Sequence, residues 1–92
     1  MIRSFRSKGL AELWSTNRSS HIDTRLQARI MRRLLALRDA ASLDALRVPG
    51  FDFHALHGYE PTRYSIHVNG PWCLTFEFED GDVYRLDLEQ YH

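Results

Sequence analysis

Apolar positions repeat with a helical period in the first half of the chain and alternate in the second half. Leu10, Leu13 and Trp14 stand at helical spacing and predict a short helix from Lys8 to Trp14, preceded by a short strand from Ile2 to Phe5. After a polar loop from Ser15 to Ser20, Thr24 and Gln27 have the spacing of a capping box, with Asp23 as a competing cap. The helix they open carries Leu26, Ile30, Leu34 and Leu37 in one stripe, widened by Met31 and Leu35. Arg25, Arg29, Arg32 and Arg33 fall largely off that stripe. The helix is expected to end near Asp39, with a helical turn from Ser42 to Leu46.

Pro49-Gly50 then breaks the chain, and the period becomes two. Phe51, Phe53 and Ala55 share one face of a first strand, with Asp52, His54 and Leu56 on the other. Gly58 to Pro61 is a loop. Tyr64, Ile66 and Val68 share one face of a second strand, and Asn69-Gly70-Pro71 is a turn. Trp72, Leu74, Phe76 and Phe78 alternate through a third strand. Asp80-Gly81 signals a tight hairpin into a fourth, Val83 to Leu88, where Val83, Arg85 and Asp87 should oppose Tyr84, Leu86 and Leu88. Helices first and hairpin-linked strands after predict an α+β fold. Two N-terminal helices pack on one face of a mainly antiparallel sheet of about four to five strands, one domain over residues 1–92.

Composition narrows the class. A 92-residue chain buries only about 60–65% of its unfolded surface, enough for one core but not for a deep cofactor cavity as well. One cysteine, Cys73, excludes an internal disulfide and favours a reducing compartment. There is no apolar run of membrane-spanning length and no signal-peptide pattern, so the cytoplasm is the expected address. The formal net charge is zero but unevenly spread: residues 1–47 carry ten Lys/Arg against four acids, and residues 48–92 carry two against eight. A basic half can present a patch for phosphates; it can equally be a solvated helix face, or the complement of the acidic half.

Five histidines are available for chemistry near neutral pH. His21 precedes a helix and reads as surface. His54 lies on the strand face opposite Phe51 and Phe53, so it should point away from the core. His54 and His57 have no cysteine cluster or carboxylate arrangement to complete a metal site. There is no phosphate-cradling Gly-rich loop and no activated serine motif.

Several segments, in order, carry a family likeness: Met1-Ile2-Arg3-Ser4-Phe5 with Lys8-Gly9-Leu10, then Tyr64-Ser65-Ile66-His67-Val68-Asn69 with Trp72, then the Phe-rich strand and its hairpin, and finally Tyr91-His92. Together they resemble HigB-type toxins of the RelE/ParE superfamily, the plasmid-maintenance killer proteins, over the whole chain. The resemblance implies a RelE-like fold and a helix-turn-helix antitoxin of the HigA kind, with DNA met only through that antitoxin. It also implies metal- and cofactor-free cleavage of mRNA on the ribosome, with the 2′-OH attacking the adjacent phosphate. Such cleavage needs a base, an acid and groups that stabilise the charged phosphorane. By the same likeness His54, Gln90, Tyr91 and His92 are the expected catalytic residues. The α-carboxylate of His92 lies close to its ring and should favour the imidazolium. The chain also departs from the family pattern: Cys73 follows the tryptophan where arginine is usual, and Gln90 stands where many members carry aspartate. His57 replaces a lysine found in some members, and His67 an arginine that is common. His57, Arg63 and His67 are left to contact RNA and offset those losses in part. A second reading follows: a toxin-like fold with an eroded site that serves as an antitoxin-binding, regulatory module.

Overall fold

The computed structural model describes residues 1–90. Helix α1 (Lys8–Thr16) starts where the Ser7 hydroxyl accepts the Leu10 N–H at 3.1 Å. It stops at Asn17, whose left-handed backbone returns its N–H to the Leu13 carbonyl. Helix α2 (Thr24–Asp39) corrects the expected capping box. Asp23 is the cap, accepting the Arg25 N–H at 2.9 Å, and Thr24 is already helical. A carboxylate at a helix N-terminus also meets the positive end of the dipole, and here it holds the Arg25 guanidinium as well, which a threonine hydroxyl cannot match. Gln27 instead donates to the Ser19 and Ile22 carbonyls, tying the preceding loop to the helix.

Hydrogen bonds from the Arg25 side chain and backbone hold the Asp23 carboxyl down at about 2. A depressed carboxyl stabilises the fold above its ordinary range, and that contribution is lost as pH falls through the folded value. The gap in melting temperature between the wild type and Asp23→Ala, followed by circular dichroism, should therefore narrow as pH falls from about 4 to about 2. A constant gap would show that the charge on the cap is idle.

The buried stripe Leu26, Ile30, Leu34 and Leu37 packs with Leu10 and Leu13 against Ile66, Val68, Leu74, Phe76, Val83 and Leu86 of the sheet. Arg33, expected off the stripe, is buried. Its Nε donates to the His67 carbonyl at 2.6 Å and its guanidinium lies over the Phe51 ring. Burial, aided by Arg29 and Arg32, pushes its pKa down. A 3-10 turn, Leu43–Leu46, closes the helical half.

Strands β1 (His54–Leu56), β2 (Arg63–Asn69), β3 (Trp72–Glu79) and β4 (Asp82–Gln90) form an antiparallel meander in chain order. The expected first strand is shortened at its start: Asp52 has a left-handed backbone (φ 47°), so pairing begins only at His54. The segment from Ile2 to Phe5 makes two isolated parallel bridges to Val83 and Leu86, leaving four strands in the sheet. The parity expected for β4 fails midway. Arg85 and Leu86 together oppose Phe76, a β-bulge with Arg85 at φ 49°. There the backbone turns to the N-terminal segment, with the Arg85 N–H on the Ser4 hydroxyl and the Leu86 N–H on the Ser4 carbonyl. As a result Val83, Leu86 and Leu88 face the helices, while Tyr84, Asp87 and Glu89 face the other way.

Candidate active site

The register of the meander decides which side chains share the face turned away from the helices. His54 pairs with Ser65, Ser65 with Thr75, and Thr75 with Asp87, so these four form one row across the sheet. His67, Cys73 and Glu89 form the next row, and Leu56 with Arg63 lies on the other side. All alternate with core residues such as Ile66, Leu74 and Phe76.

On this face lies a buried polar network. Arg63 is 3% exposed, and its Nη2 donates to the Thr75 hydroxyl at 3.1 Å and to the Arg85 carbonyl at 2.9 Å. Its Nη1 reaches Glu77 at 3.3 Å, and Glu77 also accepts from exposed Arg85 at 3.0 Å. The Thr75 hydroxyl passes its single proton on to the Glu89 carboxylate. No buried polar side-chain atom among the described residues lacks a partner.

His54 is exposed, with Nδ1 2.8 Å from the Asp52 carbonyl. A carbonyl can only accept, so Nδ1 carries a hydrogen, and Nε2 is the nitrogen that gains and loses a proton. The left-handed turn at Asp52 aims that carbonyl at the ring. His67 is half-buried, and its Nε2 donates to the Gly70 carbonyl at 3.0 Å.

The residues expected at the site from sequence are placed unequally. His54 and His67 lie on the open face. Arg63 lies on the same face but is buried there, its guanidinium committed to protein partners. His57 is exposed just beyond the end of β1. Gln90 pairs with Trp72, on the parity of Leu74 and Leu88, so it belongs to the helix side of the sheet and not to the face of His54. Tyr91 and His92 lie outside the described residues. Cys73 is buried, set between His67 and Glu89. Thr75, Glu77, Asp87 and Glu89 were not singled out from sequence. The first two have the polar parity of β3, a signal available beforehand; the bulge hides the other two.

Only Asp82, which meets the N-terminus and Arg3, joins the basic and acidic halves by ion pairs among the described residues. Arg18, Arg29 and Arg32 are exposed with no acidic partner there. The clefts lie elsewhere, along the α1–α2 groove near Gln27 and Met31 and beside the turn from Asn69 to Trp72. Enclosed pockets suit small molecules; an open sheet face lined by polar side chains suits an extended, charged polymer.

The family described as the RelE-like toxin of the type II toxin-antitoxin system HigB matches residues 3–92. The chain belongs to the HigB-like toxin family. It is also similar to the Endoribonuclease HigB of Proteus vulgaris, 36% identical over 92 residues that cover all of both chains. Two helices on an open antiparallel sheet are consistent with the RelE-like fold expected from the resemblance. As a HigB-like toxin it is one half of a toxin-antitoxin pair. No helix of the described residues is long and apolar enough to cross a membrane.

Proposed function

We propose that this toxin is a ribosome-dependent mRNA endonuclease that stops translation in the cytoplasm when released from a HigA-type helix-turn-helix antitoxin. The observation that carries the reading is His54: an exposed imidazole on the open sheet face, its Nδ1 occupied by a carbonyl and its Nε2 left to exchange protons. The reaction needs no metal in this reading. The ribose 2′ oxygen attacks the adjacent phosphorus and the 5′ oxygen leaves. His54 is one proton carrier, with Tyr91 and His92 as further catalytic groups. His57 and His67 contact the RNA, while Arg63, buried on the same face, contributes charge. The unpaired arginines of α2 meet ribosomal phosphates, a sequence-independent attachment weakened by salt.

A second reading is favoured by two observations, the neutral Cys73 on the open face and Gln90 on the opposite one. In it the chain binds its antitoxin and tunes repression without cutting RNA. Ribosomes programmed with mRNA separate the two. Wild-type protein should release fragments with 5′-hydroxyl ends only when ribosomes are present, and its induction without antitoxin should arrest growth. Intact mRNA together with normal growth would establish the regulatory module instead.

A further inference from the structure

His54 is one proton carrier, but in-line attack places the entering 2′ oxygen and the departing 5′ oxygen on opposite sides of phosphorus, so a second group must stand across the phosphate. Three carboxylates on the open face stand near that place. Glu77 is neutralised between Arg63 and Arg85. Asp87 turns back to accept the Leu88 N–H at 2.9 Å. Glu89 is different: its Oε2 takes the Thr75 proton, and its Oε1 has no partner among the described residues.

We propose that Glu89 is the base that removes the 2′ proton, held in place by Thr75 and the buried Arg63; the assignment rests on the endonuclease reading above. β1 and β3 are separated by two strand spacings, about 10 Å. His54 reaches in from β1, and the Glu89 carboxylate is drawn over β3 by Thr75. Between them, on β2, stands Ser65, a small side chain in the same row, so the two groups can approach opposite sides of a phosphodiester laid across the row. A carboxylate beside a phosphate needs a nearby cation, and Arg63, one hydroxyl away, supplies it.

In the step, Glu89 Oε1 takes the 2′ proton and the freed electron pair forms the bond from the 2′ oxygen to phosphorus. The bond from phosphorus to the 5′ oxygen breaks, and that oxygen takes the Nε2 proton of the His54 imidazolium. The products are a 2′,3′-cyclic phosphate and a 5′-hydroxyl, and solvent then resets both groups.

The test is single-turnover cleavage of mRNA on programmed ribosomes from acid to alkaline pH, with melting curves for every variant. Glu89→Gln should cut about 100-fold or more slowly and lose the acid limb of the rate profile. Glu89→Asp should recover part of the rate. Thr75→Val, nearly isosteric, should cut about tenfold more slowly with its acid limb displaced. Glu89→Gln cleaving at the wild-type rate while His54→Ala is inert would overturn Glu89 and spare the endonuclease reading; an inert wild type overturns both. A slow Glu89→Gln that keeps the wild-type acid limb makes Glu89 a structural group and not the base. If Glu89→Gln does not fold, Thr75→Val decides: a displaced limb supports the proposal, and an unmoved one overturns it.

Discussion

His54→Ala is expected to slow ribosome-bound mRNA cleavage by about 10²- to 10⁴-fold while leaving the fold and the antitoxin complex intact. The side chain is exposed on a three-residue edge strand, and its one hydrogen bond is to the carbonyl of Asp52. Truncating it opens no cavity and leaves no buried group unpaired, so stability should change by no more than about 0.5 kcal/mol. That separation of effects makes the variant informative. Rate is read by quench-flow on programmed ribosomes, stability by urea titration, and the complex by co-purification with antitoxin. Wild-type cleavage by His54→Ala would move the chemistry off this face altogether.

Arg63→Met is expected to do the reverse, costing stability first. Removing one member of a buried ionic network leaves its partners desolvated, typically about 3–5 kcal/mol. Here the lower end applies, because Glu77 keeps Arg85 while Thr75 and the Arg85 carbonyl lose a donor. About 3 kcal/mol lowers the melting temperature of a domain this size by roughly 15 °C. Arg38→Ala, which removes an exposed arginine paired with Asp39, should change stability by about 0.5 kcal/mol or less. Adding Glu77→Leu and Thr75→Val to Arg63→Met should recover much of the loss, since the stranded polar groups go with their partner. If Arg63→Met melts like the wild type, its guanidinium is solvated and free to contact RNA directly, as its position in the sequence suggested.

Arg63 also shows where sequence reasoning stops. Its place in the chain marks it as a cation near the site, but only the tertiary structure reveals that it is buried against Thr75 and consumed by protein partners. Arg33 is similar: helical periodicity places it off the apolar stripe, yet a carbonyl of β2 and the Phe51 ring give it a buried seat. The cap of α2 was ambiguous between two adjacent residues, and the pairing of Asp23 with Arg25 resolved it.

What the sequence determined by itself is local or periodic. Leu26, Ile30, Leu34 and Leu37 can share a face only in a helix, and Trp72 to Phe78 can do so only in a strand. Asp80-Gly81 closes a tight hairpin because both residues take positive φ, and the burial of Cys73 follows from its size and apolarity. The family likeness carried by the ordered segments was legible too. The tertiary structure decided which polar residues meet. One extra residue at Arg85, held out of the ladder by Ser4, reverses the faces of β4 beyond it. That reversal brings Asp87 and Glu89 onto the face of His54 and leaves Gln90 behind. Alternation along one strand cannot reveal it, because the bulge is set by a backbone contact between residues 81 positions apart.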